Sequence, residues 1–282
     1  MTTRRDFLGI LGLGLGATAL GCARAVEGKQ PLTRLPHIGL QLYTVRTLMT
    51  KDVESTLASV AEIGYDQVEF AGYFKRTPAQ IVAALAANHL ASPSTHISYP
   101  ATDDAWKATV DDARARGHEW AVIASVDPSL HKEPGDWSKL AERFNQLGAL
   151  ARERGMKFGY HNHAAEFVAT SKGTALDTLL AETDPKLVDF EMDLYWVVKG
   201  GGDPLDLIGR YPHRFPLMHA KDASPAPERA IVDVGAGTID FARIFAQQAV
   251  SGMTHVFVEH DRATDPLQSA RNSYRYLSAL RY

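Results

Sequence analysis

KFGYHNHAAEFVATSKGTALDTLLAETDPKLVDFEMDLYW, residues 157–196, holds two short apolar runs, Lys157–His161 and Leu187–Met192, each ending in side chains that bind protons or metals. Short apolar runs separated by a longer polar segment read as strands buried on both faces of a parallel sheet. Outward from this pair the same unit recurs. His37–Tyr43, Gln67–Phe70, Pro93–Ser98 and Trp120–Ser125 precede it, and Phe215–Ala220 and His255–Glu259 follow, so eight strands are expected. Amphipathic windows lie between them. Asp52–Ile63 carries Val53, Leu57, Val60 and Ile63 at helical spacing, and Asp136–Arg154 carries Trp137, Leu140, Phe144, Leu147 and Leu150. Thr77-Pro78 opens a further helix, the threonine as cap and the proline in the first turn, where its missing N–H costs nothing. Gly64, Gly117 and Gly155 follow helical windows and suit the left-handed residue that closes a helix.

Eight strand–helix units in a chain of 282 residues point to an α/β fold, a (β/α)8 TIM barrel in a single domain. An open doubly wound sheet is the competing topology. Its Gly-rich phosphate loop is missing after the first strand, where Leu42-Tyr43-Thr44-Val45-Arg46 stands instead. With 30 Lys+Arg against 33 Asp+Glu, a net charge of −3, and 45% hydrophobic residues, the chain is globular in composition. Nucleic-acid binders carry a basic excess or stripe to neutralise phosphates. Neither is present, so no nucleic-acid partner is expected.

Residues 1–22 read as a signal segment. Phe7–Ala23 is uncharged and Gly-rich, but short of the roughly 20 residues that cross a hydrocarbon core, which suits an export signal better than a permanent span. Thr3-Arg4-Arg5-Asp6-Phe7-Leu8 resembles the bacterial twin-arginine signal. Gly21-Cys22 resembles a lipoprotein cleavage site, with Ala19 where such sites usually have Leu. The expectation is export to the periplasm with Cys22 lipidated as a membrane anchor; an ordinary hydrophobic N-terminal helix is the plain alternative. Cys22 is the single cysteine, so no disulfide forms within the chain and the core alone holds it.

Chemistry in such a barrel sits at the carboxyl ends of the strands. Strand five ends in Tyr160-His161-Asn162-His163 and runs on to Glu166, and strand six ends in Glu191-Met192-Asp193. Strand seven supplies His219-Ala220-Lys221-Asp222, and strand eight Glu259-His260-Asp261. Four consecutive strands gather these groups at one half of the mouth. Two or three carboxylates with an imidazole form a hard, mostly oxygen site for one divalent ion, Mn2+ first, with Mg2+, Co2+ and Zn2+ as alternatives. Such an ion chelates a hydroxyl and a neighbouring carbonyl and stabilises the enediolate left when a carbon-bound proton departs. Period-two alternation puts His161 with His163, and Glu191 with Asp193, on one face each. Plainer roles stay open: Asp193 and Glu259 suit helix caps or partners of a basic residue, His219 a hydrogen-bonded core position and Glu166 a surface loop. Glu69 and His96, ending strands two and three, are weaker candidates for sugar contacts. His118, His131 and His213 read as structural or solvated.

With these residues in place, the chain resembles the sugar phosphate isomerase/epimerase family, the xylose-isomerase-like barrels, over a domain of residues 35–282. The resemblance is carried by GLQLYTVR (39–46), GYDQVEFAG (64–72), YHNHAAEF (160–167), DFEMDLYW (189–196), HAKD (219–222), VGAGTIDF (234–241) and VEHD (258–261). It implies one divalent metal held by a strand-five carboxylate, Asp193, His219 and Glu259. Strand five has His161 where many members have Glu, so Glu166 is taken as the fourth ligand, with His161 as alternative. Glu259 and Glu166 would serve as acid and base. Lys221 would stabilise charge on an enolate oxygen or form a salt bridge to Asp222 or Glu259. Tyr43, Glu69, His96, His161, His163 and Trp196 are the expected substrate contacts.

The chemistry implied is proton abstraction next to a sugar carbonyl, leading to isomerisation or epimerisation, with elimination from 3-keto-glycosides as the alternative. An exported enzyme rarely meets sugar phosphates, so an unphosphorylated sugar or oxidised glycoside is the expected small-molecule partner. Two rivals belong to other classes. A non-catalytic carbohydrate-binding lipoprotein would keep Tyr43 and Trp196 but need no four ligand-type residues. A DNA-repair endonuclease would need several metals and a basic groove, against the charge balance and the export signal.

Overall fold

The computed structural model describes residues 33–282 except Pro134; the signal segment, Cys22 and its expected lipidation lie outside the described residues. Eight parallel strands close into a barrel: β1 (Gly39–Gln41), β2 (Gln67–Phe70), β3 (Ala91–Ile97), β4 (Trp120–Ile123), β5 (Lys157–His161), β6 (Val188–Asp193), β7 (Leu217–Ala220) and β8 (His255–Val258). Their order around the barrel is their order in the chain, and β8 pairs back onto β1 through Gly39 opposite Phe257. Residues 33–282 form one compact unit, as the recurring strand–helix pattern predicts.

The alternation within each strand divides the core into two. Leu40, Val68, Ile123, Phe158, Tyr160, Phe190, Met192, Met218 and Val258 face the helices and belong to the large outer core. Trp120, Val122, Leu217 and Phe257 face inward and plug the barrel. Gly39 makes room for that plug, because a Cβ there would stand 2.3 Å from the Phe257 ring. The plug matters for function: it closes the lower barrel, so the polar groups above it open only toward the mouth.

Local sequence explains the helix boundaries. Asp52 caps the helix Val53–Ile63 by accepting from the Ser55 amide at 3.0 Å, and Gly64 ends it at φ 119°. Thr77 and Gln80 form a reciprocal capping box ahead of Pro78. Gly117 and Gly155 also take left-handed conformations, φ 90° and 74°.

Six strands end or begin a little apart from the sequence reading, and at two of them the physical reason is plain. β1 stops at Gln41 and not at Tyr43, because the Gln41 side chain accepts from the Tyr43 amide at 2.9 Å and turns the chain. β3 begins at Ala91, two residues ahead of Pro93. The proline has no N–H for the ladder, and it sits where the β2–β3 register shifts between Gln67 and Glu69.

His118 precedes β4 and is buried. Its Nδ1 donates to the Ser92 carbonyl at 2.8 Å, whereas Nε2 has no hydrogen-bond partner among the described residues. Burial pushes this imidazole down to about 4, since a second N–H would find no acceptor. Its neutral form therefore contributes stability in full above about pH 6.5, and that contribution is lost as pH falls toward 4. The loss amounts to at most about 3 kcal/mol. Thermal unfolding from pH 7 to 4 should show a steep acid limb that flattens in His118→Asn; an identical slope in both proteins would refute this assignment.

Candidate metal centre and active site

The inward-facing residues form layers above and below the plug. Beneath it, Trp120 Nε1 donates to Asp189 at 2.8 Å and His255 pairs with Gln67 at 2.9 Å. Above it stand Gln41, Glu69 and Ser94, in register on β1 to β3, with His96, His161, Glu191 and His219 packed against them. Asp193, Lys221 and Glu259, two residues further along their strands, stand at the next level. Glu69, Glu191, Asp193 and His219 are completely buried, and Lys221 and Glu259 nearly so.

Glu191 Oε2 lies 2.6 Å from His96 Nε2, 3.0 Å from His161 Nδ1 and 3.1 Å from His219 Nε2. His219 Nε2 is 2.7 Å from Glu69 Oε2, and its other nitrogen, Nδ1, is 3.0 Å from Glu259 Oε2. Glu69 is held from behind by Gln41 Nε2 at 2.7 Å and by the Ser94 hydroxyl. Lys221 Nζ completes the set, 2.7 Å from Glu259 Oε2, 2.8 Å from Asp261 Oδ1 and 3.0 Å from Asp193 Oδ2.

The charges follow from this packing. Burial opposes the Lys221 ammonium, but Asp193, Glu259 and Asp261 outweigh it and raise Lys221 above its ordinary range. Burial likewise opposes the Glu259 carboxylate, which Lys221 and His219 nevertheless hold well below the usual carboxylate range. Asp193 is raised by burial to about 6 despite Lys221. Burial also leaves His161 well below its usual value and His163 at about 4, so both imidazoles are neutral. At His219 the negative charges of Glu191 and Glu259 overcome burial and raise the imidazole well above its usual range.

Two overlapping groups have donor atoms close enough to hold an ion: His161, Asp193, His219 and Glu259; and His96, His161, Glu191 and His219. The first contains the three ligands that the resemblance implies. Its chemistry fits a divalent cation: two carboxylates and two imidazoles, with Asp193 Oδ2 buried and met among the described residues only by the Lys221 ammonium. Asp193 does cap a helix, but through Oδ1, which accepts from the Trp196 amide at 2.9 Å.

Glu166 stands outside both groups. It accepts from the Tyr160 hydroxyl at 2.5 Å and from the His163 amide at 2.7 Å. Tyr160 points to the helix layer, and Glu166 follows it there, so the strand-five donor is the inward-facing His161. The salt bridge expected of Lys221 goes to Glu259, Asp193 and Asp261. Asp222 is occupied elsewhere, accepting from the amides of Ala223, Gly235, Gly237 and Ile239 and so folding the 234–241 loop.

A cavity of about 570 Å³ opens above these groups, lined by Tyr43, His96, His161, His163, Lys221 and Glu259 among others. Of the expected substrate contacts, Tyr43, His96, His161 and His163 line it. Glu69 lies behind His219, and Trp196 packs on His163 with ring centroids 5.4 Å apart, so neither forms part of the wall. Asp261, Arg46 and Arg262 line the cavity without having been singled out from sequence. Gln41 and Ser94 were missed as well, although period two forward from Gly39 and back from His96 leads to them.

Comparison with known proteins agrees with the barrel fold. An inosose dehydratase of Geobacillus kaustophilus is 26% identical over 269 residues, covering 80% of this chain and 87% of that one. An inosose dehydratase of Clostridium perfringens is 32% identical over 162 residues, and there the match spans 54% of the relative's length. Among solved structures, a sugar phosphate isomerase/epimerase of Parabacteroides distasonis superposes with TM-score 0.76 at 26% identity, covering 90% of this chain and 98% of the other. A 3-keto-D-glucoside 4-epimerase of E. coli, 17% identical with TM-score 0.66, shares the fold over 86% of this chain and 98% of its own. Residues 57–280 match the Xylose isomerase-like TIM barrel family, and the chain belongs to that family.

Proposed function

We propose that the chain is a metal-dependent enzyme that removes a proton next to the carbonyl of an unphosphorylated sugar or cyclic keto-polyol. The observation that carries this reading is the convergence of Asp193, His219, Glu259, His161 and Lys221 on one point at the floor of the cavity. His161, Asp193, His219 and Glu259 would hold the cation. When bound, it polarises the substrate's carbonyl and adjacent hydroxyl, which acidifies the intervening C–H.

The protein's own groups account for the rest. Glu259 lines the cavity and is held ionised, so it accepts the carbon-bound proton. Lys221, permanently charged beside it, stabilises the negative charge that develops on the substrate oxygen. His96 and His163 form a rim of imidazoles that hydrogen-bond hydroxyls and replace bulk water. Arg46 spends its guanidinium on the carbonyls of Tyr43 and Asp261, which favours an uncharged polyol over a phosphorylated one.

From the same enediolate, return of the proton gives isomerisation or epimerisation, the outcome the resemblance implies. Loss of a neighbouring hydroxyl gives dehydration, the second reading, favoured by the inosose dehydratase relative aligned over most of its length. The binding-module alternative needs no buried carboxylate–ammonium cluster. Export and lipidation at Cys22 complete the proposal, and Cys22→Ser should move the protein from membrane to soluble fractions; persistence in the membrane would remove the anchor.

Two experiments test the site. Incubated in D2O with free sugars, an inosose and a 3-keto-glucoside, the Mn2+-loaded enzyme should incorporate deuterium or release water, and NMR distinguishes the two fates. Glu259→Gln should slow either one by about 10²-fold or more; undiminished exchange would take Glu259 out of its role as base. Elemental analysis should find one ion per chain, depleted in His219→Ala and Asp193→Asn but retained in Glu166→Gln. Full metal content in His219→Ala, or its loss in Glu166→Gln, would overturn the ligand assignment.

A further inference from the structure

We infer that Glu191 and Glu69 are positioning residues that select the tautomers of the two ligating imidazoles, so that His161 offers Nε2 and His219 offers Nδ1 to the cation. The inference rests on the metal-dependent reading above and goes beyond it to say which face of each ring the metal meets.

A neutral imidazole has one N–H and one lone pair, on different nitrogens. The two candidate donor groups share both His161 and His219, but through opposite nitrogens of each ring. In the group around Glu191, the facing atoms are His161 Nδ1 at 3.0 Å and His219 Nε2 at 3.1 Å. In the group around Asp193 and Glu259, they are His161 Nε2, 3.8 Å from Asp193 Oδ2, and His219 Nδ1, 3.0 Å from Glu259 Oε2. A neutral ring serves only one of these groups as ligand, and toward the other it must point an N–H.

Three features assign the lone pairs to the Asp193–Glu259 side. The 3.8 Å separation of His161 Nε2 from Asp193 Oδ2 is too long for a hydrogen bond, whereas donors each about 2.1 Å from a common ion stand roughly 3–3.5 Å apart, only slightly closer. Asp193 Oδ2 is buried and, among the described residues, meets only the Lys221 ammonium at 3.0 Å, with no imidazole N–H at hydrogen-bond distance. On the opposite side the acceptors are already engaged at hydrogen-bond distance, Glu191 with His161 Nδ1 and Glu69 with His219 Nε2 at 2.7 Å. Glu69 cannot swing away to serve as a ligand itself, because Gln41 and Ser94 hold both its oxygens. Two features favour the other group and are why the test must read the nitrogens directly: Glu191 Oε1 lacks a partner, and His219 Nδ1 is itself at hydrogen-bond distance, 3.0 Å, from Glu259 Oε2, although that oxygen already meets the Lys221 ammonium at 2.7 Å. A carboxylate accepting the distal N–H of a ligating histidine fixes the ring's orientation and raises its basicity, and loss of such a partner weakens metal binding by about 10–100-fold.

The test uses the full chain, loaded with Zn2+ as a diamagnetic probe. Long-range 1H–15N correlation spectra should show the ring proton of His161 on Nδ1 and that of His219 on Nε2. The reverse protonation of either ring would overturn the proposal and move the cation to the Glu191 group. Calorimetric titration of the metal-free protein with Mn2+ should give one site, weakened about 10–100-fold in Glu191→Gln and in Glu69→Gln with the stoichiometry unchanged. Unaltered affinity in both variants would also overturn it. The tautomer measurement needs no variant, so misfolding of either one leaves the proposal testable. If neither Zn2+ nor Mn2+ binds the wild-type protein, the metal-dependent function fails and the tautomer assignment falls with it; binding with the wrong tautomers leaves the function standing and removes only this inference.

Discussion

Charge buried inside a closed barrel is the constraint to which the rest of this structure answers. Glu69, Glu191, Asp193 and Glu259 bring four carboxylates into an interior where Lys221 is the one permanently charged cation among them. An isolated buried charge costs several kcal/mol after relaxation, and removing one partner of a buried pair strands the other. The set is tolerable only as a set. Its spare negative charge must be met by protons, on imidazoles or on carboxylates such as Asp193 that burial raises, or by a divalent cation, and His219, raised by Glu191 and Glu259, is the ring on which that alternative turns. Binding of a cation there would therefore be coupled to proton release by the same packing.

Parallel strands solve the assembly problem cheaply. A period of two places Glu191 and Asp193 one above the other on β6, His219 and Lys221 likewise on β7, and Phe257 below Glu259 on β8. The lower member of each stack belongs to the plug or the buried imidazole–carboxylate layer, and the upper member to the cavity floor. A one-residue slip of β6 would carry both carboxylates into the apolar helix layer. Register and site are thus specified together, and the Trp120–Val122–Leu217–Phe257 plug keeps the polar layer from opening to water at the lower end.

Much of this was legible in the chain. β2 and β5 run between the very residues that their apolar runs predict, and Asp52, Thr77 and Gly64 mark helix boundaries through chemistry that acts within a few residues. Asp193, His219 and Glu259 converge because strand ends in a closed barrel must. What stayed hidden depends on side-chain direction and on partners distant in sequence. Glu166 is near His161 along the chain, but Tyr160, facing the opposite way, draws it to the outer layer. Glu69 looked like a sugar contact at a strand end, whereas its place is behind His219, a partner 150 positions away. Pro93 gave no warning that β3 would begin before it, since only the neighbouring strand's register makes room for a residue without an N–H.

The division of labour between the two polar layers bears on how one fold serves both isomerases and dehydratases. The lower layer, Glu69, Glu191 and the inner nitrogens of the imidazoles, touches no cavity and answers only to the electrostatics of the upper one. In the proposed reaction the upper layer would supply the base, the ammonium and the cation's donors, which enolisation requires whatever happens next. The fate of the enediolate would then be left to wall groups that pair with none of the buried charges, such as Tyr43 and His163; His96 and Asp261 also line the wall but hold Glu191 and Lys221. Substitution there can redirect a common intermediate at little cost in stability, whereas substitution in the lower layer strands a charge. Reaction class is therefore expected to vary with the wall among relatives that share this floor.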